Sequence, residues 1–207
     1  MILHIMSPGL DKFTLPFIKL MDDYKNQMFG QHKYIFICRE DQVEGGKNGN
    51  GSTSFFDGSI EFRHPSLGME PVIEKMQVSD KIIIHGFWRD KINDILVSNP
   101  EFYKKSYWVM YGGDYYEKKT CSQNHKTVAK NIGYLINGIT PDISLVRENY
   151  GSVGKHIESF FYTTNVCNTN FVSKADNSNL TILLGHSGIA DNQHIKYCLA
   201  FYLNLIL

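Results

Sequence analysis

The stretch that most constrains this chain is Lys81-Ile82-Ile83-Ile84-His85-Gly86. Three successive β-branched residues favour an extended backbone, because their stiff side chains crowd a helix and pack well on a pleated surface. A strand apolar at consecutive positions needs cover on both faces, as in a parallel sheet with helices on either side. Comparable runs recur. Ile2–Met6 (ended by Ser7-Pro8-Gly9), Tyr34–Cys38 and Ser106–Met110 also read as strands, the last closed by Tyr111-Gly112-Gly113-Asp114.

Helical patterns lie between these runs. Lys12–Met28 carries Phe13, Phe17, Leu20, Met21 and Tyr24 at spacings of three and four, with Pro16 in the first turn. Pro71–Val78, Asp90–Val97 and Lys126–Asn137 read as further helices. The alternation is expected to continue with the apolar run Ile143-Ser144-Leu145-Val146, a helix near Gly154 and a strand at Phe160-Phe161-Tyr162. Val43–Gly58 is rich in Gly, Asn, Ser and Thr and reads as a loop. Alternating β and α with near-continuous apolar strands predicts an α/β domain with a parallel, doubly wound sheet over residues 1–163.

The pattern then breaks. Residues 164–179, rich in Asn, Thr and Ser, read as a linker. Leu180–Leu184 reads as a new strand, Gly185-His186-Ser187-Gly188 as a turn and Asn192–Leu207 as a helix. One β-α unit cannot cover both its faces, so residues 180–207 are expected to begin a second domain that is incomplete.

Composition removes several function classes. With 43% hydrophobic residues the chain can build a core, so intrinsic disorder is excluded. The 21 Lys and Arg balance the 21 Asp and Glu, leaving no excess charge to neutralise nucleic-acid phosphates, and no nucleic-acid partner is expected. The four cysteines, Cys38, Cys121, Cys167 and Cys198, form no C-x-x-C pair and read as reduced thiols in a cytosolic protein. No signal peptide is evident, and no run approaches the roughly 18–20 apolar residues of a membrane helix.

Three segments could carry chemistry. In Leu183-Leu184-Gly185-His186-Ser187-Gly188 a strand passes through glycines towards a helix, with Asp191 or Asn192 as N-cap. Backbone N–H groups there could approach an anion, or the segment could be a tight turn without a ligand. A nucleophile elbow at Ser187 would need glycine where Ile189 stands. In Tyr107–Glu117, Asp114 sits beyond a strand end, where it could take a proton or a sugar hydroxyl, or could cap the next helix. In His85-Gly86-Phe87-Trp88-Arg89, His85 could act as acid or base, or simply bond the backbone. His4, in the first strand, is expected on the same rim as His85 and Asp114. P-loop, dinucleotide, H-E-x-x-H and Asp-x-Asp motifs are absent, so the expected chemistry uses no metal and no cofactor.

Tyr107-Trp108-Val109-Met110-Tyr111-Gly112-Gly113-Asp114-Tyr115-Tyr116-Glu117 resembles the W-x-x-W-G-x-D-x-Y-E segment of glycosyltransferase family 56. This is the family of the TDP-N-acetylfucosamine:lipid II transferases, or 4-alpha-L-fucosyltransferases, of enterobacterial common antigen synthesis. Thr181–Gly188 with Asn192 and His194 is similar to that family's T-I-L-x-G-N-S-G followed by N-x-H-I, and His85-Gly86 and His4 match histidines in its strands. The resemblance runs in order from about residue 1 to 200.

It implies a GT-B architecture, with an acceptor-side Rossmann-like domain followed by a nucleotide-sugar domain. It implies transfer of an amino-deoxy sugar from a TDP-sugar donor to a polyprenyl-diphosphate-linked glycan. The enzyme would be peripheral on the cytosolic face of the inner membrane. His85 and Asp114 would then be catalytic, and Gly185, Ser187, Gly188 and Asn192 would hold the donor diphosphate. The alternative is a non-catalytic glycan-binding or assembly module derived from such an enzyme.

Overall fold

A computed structural model describes residues 1–6, 15–27, 30–37, 60–87 and 90–159. All of them lie in the first of the two units into which the chain divides, Met1–Val166. The linker and nucleotide-sugar segments expected at 164–179 and 180–207, the strand at 160–162 and the loop at 43–58 lie outside the described residues.

The elements alternate. Strands are β1 (Ile2–Met6), β2 (His32–Ile37), β3 (Ile60–Arg63), β4 (Lys81–His85), β5 (Ser106–Val109), β6 (Tyr134–Ile136) and β7 (Lys155–Ile157). Helices are α1 (Leu15–Asp23), α2 (Glu70–Val78), α3 (Asp90–Ser98), α4 (Gln123–Asn131) and α5 (Thr140–Tyr150). The strands form one sheet in the order β3-β2-β1-β4-β5-β6-β7, and every neighbouring pair is parallel. The expected α/β architecture with a parallel sheet is therefore present.

Alternation along each strand sorts the side chains onto two faces. Leu3, Ile5, Ile35, Ile37, Ile82, Ile84, Trp108 and Leu135 join one buried cluster with residues of α2, α3, α4 and α5. Met6, Tyr34 and Phe36 point the other way and pack with Ile18 of α1. Each fully buried Ile or Leu contributes about 2 kcal/mol, so the larger cluster dominates stability. Lys105 donates to the carbonyls of Met76, Gln77 and Ser79 at 2.7–2.8 Å. A cation thereby sits at the carbonyl end of α2, where the helix dipole favours it.

Three expectations are corrected. The helix expected to reach residue 137 ends at Asn131, because Ile132 turns extended (φ −60°, ψ 142°) and the chain re-enters the sheet as β6. The run Ile143–Val146 is no strand; it lies in α5, opened by Pro141 in its first turn. Its buried residues Ile143, Val146 and Tyr150 fall three and four apart, which is helical spacing. Near Gly154 there is no helix but the approach to β7, in which Lys155 pairs with Tyr134. Strand β3, whose Ile60 pairs with Tyr34, was not foreseen either.

Gly133 is where α4 gives way to β6, and it touches the backbone of the β5 entry. Its N–H donates to the Tyr103 carbonyl at 2.8 Å. A Cβ there would meet that carbonyl oxygen at 2.6 Å and the Lys104 Cα at 3.2 Å. Neither neighbour is a side chain that could swing away. Gly133→Ala is expected to destabilise the fold by about 1–3 kcal/mol, read as a fall of several degrees in a thermal melt.

Candidate functional site

In open parallel sheets ligands bind beyond the carboxyl ends of the strands, where the strand order reverses. Here the reversal lies between β1 and β4, so the C-terminal end of β4 is the place to look. His85 is its last residue. Gly86 follows with φ 77°, a left-handed conformation that suits glycine, and donates to the Val109 carbonyl at 3.0 Å.

Asp114 welds the two strand exits together. One carboxylate oxygen accepts from the Phe87 backbone at 3.1 Å and from the Trp108 indole at 2.7 Å. The other accepts from the Tyr111 backbone at 3.0 Å. The side chain is buried, and desolvation pushes its pKa up while these donated bonds pull it back. Phe87 stacks on Trp108 at 4.2 Å, so the rim rests on the larger core cluster. Asp114 does not cap the following helix, since Ser122 accepts from His125 N at the start of α4.

The histidines form a chain. His4 comes from the middle of β1, and its Nδ1 lies 3.1 Å from His85 Nε2. Its Nε2 lies 2.9 Å from Nδ1 of His32, the first residue of β2. His85 Nδ1 completes the line at 3.1 Å from the Tyr111 hydroxyl. Local structure explains the alignment: His4, His32 and His85 share the sheet face that carries Met6, Tyr34 and Phe36. Aromatic rings close around them, with Tyr34 stacked on His4 at 4.8 Å and Phe17 of α1 at 4.9 Å from His85.

Burial decides the charge state. Desolvation lowers the His85 pKa to about 3. It lowers His4 well below the usual range, with further repulsion from His85 and His32. Both rings are therefore neutral at physiological pH, and each neutral ring offers one donor and one acceptor to its neighbours.

Sequence reasoning named His4, His85 and Asp114 for this rim, and the structure brings the first two into direct contact. Asp114 stands one turn away, bonded to the backbone of Tyr111, whose hydroxyl meets His85. His32 and the Tyr111 hydroxyl were missed. Alternation in β2 could have found His32, since residues 32, 34 and 36 share one face. Gly185, Ser187, Gly188 and Asn192, like Trp88 and Arg89, lie outside the described residues. Among the described residues no group of three His, Cys, Asp or Glu is placed to hold a metal ion. Nor is any helix among them long and apolar enough to cross a membrane.

The fold and rim define the class, an α/β protein with a parallel sheet and a polar rim at its switch point. No family model, curated protein or solved structure matches the chain.

Two outcomes follow. His4 and His85 have folded pKa values below the unfolded 6.5, so the unfolded state binds more protons below that pH. The His85 contribution is complete above about pH 6.5 and lost as pH falls towards 3, and His4 acts in the same direction. At pH 5, stability from urea unfolding should drop by about 2 kcal/mol on account of His85 alone, relative to pH 7.5, with His4 adding in the same sense. Asp114→Ala strands three donors and should cost about 3 kcal/mol, measured by urea unfolding followed through Trp fluorescence.

Proposed function

We propose that this chain belongs to a sugar transferase of GT-B type and supplies its acceptor-side domain. The reaction is transfer of an amino-deoxy sugar from a TDP-sugar to a polyprenyl-diphosphate-linked glycan at the cytosolic face of the inner membrane. The observation that carries this reading is His85 at the carboxyl end of β4, beside the switch point and bonded to a tyrosine hydroxyl. The resemblance of Tyr107–Glu117 and Thr181–Gly188 to glycosyltransferase family 56 supplies the substrate class.

In this reading the acceptor hydroxyl approaches Tyr111 and His85, and deprotonation strengthens its attack on the anomeric carbon. Asp114 holds the Phe87 and Tyr111 backbones that shape the acceptor rim. In the same reading residues 180–207 begin the nucleotide-sugar domain. Backbone N–H groups around Gly185, Ser187 and Gly188, with Asn192, hold the donor diphosphate.

Titration of the chain with TDP, by calorimetry, tests the donor half. Binding is expected, and a Gly185→Ala/Gly188→Ala double variant should lose at least about tenfold in affinity. Equal binding by both proteins would sink the diphosphate role. His85→Ala should leave TDP binding unchanged while slowing sugar transfer by roughly 10²–10⁴-fold. Glycan binding without any turnover would instead identify a non-catalytic module.

A further inference from the structure

A buried base raises a physical problem. His85 can take a proton from a bound hydroxyl, yet its surroundings do not tolerate an imidazolium. His4, the next ring, is just as poorly placed for charge. His32, which is only half-buried, is the one ring of the three that is not fully enclosed. The spacing of the rings offers the way out.

We infer that Tyr111, His85, His4 and His32 act as one proton relay, in which a proton taken up at the rim appears on His32 rather than on His85. The three linking contacts, 3.1, 3.1 and 2.9 Å, are all hydrogen bonds and run unbroken from the rim turn to the first residue of β2. His32 pairs with Ile2, whereas His85 stands one residue beyond the Ile5–Ile84 pair. The relay therefore crosses about four residue rows, or ~13 Å of sheet. Among the described residues the groups facing it include Phe17 from α1, Tyr34 from β2 and the Tyr111 hydroxyl, with Asp22 of α1 close enough to act on Tyr34. Phe17 and Tyr34 cover His4, so the proton is handed from ring to ring.

The step balances. At rest Tyr111 donates its hydroxyl proton to His85 Nδ1, His85 donates its Nε2 proton to His4 Nδ1, and His4 donates its Nε2 proton to His32 Nδ1. His32 keeps its own proton on Nε2. When a bound hydroxyl passes its proton to the Tyr111 oxygen, each proton in the line moves one bond forward. His85 and His4 end as neutral Nδ1–H rings, and His32 holds two protons and the positive charge. Loss of the Nε2 proton from His32 leaves a neutral chain of reversed polarity, which tautomer exchange resets before the next turnover. The identity of the hydroxyl rests on the sugar-transfer reading, but the relay does not. His4 and His32 act as positioning and proton-carrying groups without touching the substrate.

The test is a ¹⁵N-histidine NMR titration of the full chain without substrate, so its failure leaves the sugar-transfer reading standing. Protonation of His32 from solvent should force the same reversal. As His32 titrates, the protonated nitrogen of both His4 and His85 should switch from Nε2 to Nδ1, while neither ring becomes imidazolium. In His32→Gln the switch should disappear. If the tautomers of His4 and His85 stay unchanged as His32 titrates, or if His85 itself becomes the imidazolium, the relay is overturned. The wild-type titration decides the question by itself if the variant does not fold.

Discussion

Everything at the rim depends on the pairing of β1 with β4. It joins Ile2 to Lys81 and Ile5 to Ile84 across most of the first half of the chain, so a large closure entropy is spent before any contact forms. Continuous burial of Leu3, Ile5, Ile82 and Ile84 against the helices supplies the compensation. The Met1 amino group reaches exposed Asp80 at 2.5 Å beside the same pairing, but an ion pair so open to water adds little. Once the two strands lie side by side, His4 and His85 meet, and the strand order reverses between them.

The two faces of the sheet handle polarity differently. The face towards α2–α5 carries the larger apolar cluster, and the buried Asp114 beside it is matched by three donors at the strand exits. The face towards α1 carries the histidines among aromatic rings. An unpartnered ring nitrogen there would cost about as much as a lost hydrogen bond. Stringing the rings together satisfies both nitrogens of His4 and of His85. Burial keeps charge off His4 and His85, and the same hydrogen bonds tie them to a third ring that is less enclosed.

Strands β1, β2, β4 and β5 were legible because each carries a run of apolar residues, isoleucine-rich in the first three and built on Tyr107, Trp108 and Val109 in β5. Strands β3, β6 and β7 have only three or four residues each, and β7 is Lys155-His156-Ile157, so local pattern offered almost nothing. What defines them is backbone pairing to a neighbour already in place. Strand β6 shows this well: Tyr107 stacks on Tyr134 with ring centroids 4.2 Å apart, a contact between residues 27 positions apart in sequence. The run Ile143–Val146 misled because four apolar or small residues fit either geometry, and Pro141 with the spacing to Tyr150 decided for helix.

For the site, the sequence by itself determined which chemistry was available: histidines in the first and fourth strands, and an aspartate just beyond the fifth. Strand ends are readable from local residue preferences, and in parallel sheets those ends are where function collects. Only the tertiary structure decided that His85 bonds to His4, that His32 extends the line, and that Asp114 spends both oxygens bracing the rim. Those relations depend on which strands become neighbours and on which residues stand level across them. Neighbour choice and register come from long-range packing, and no local stretch of residues contains them.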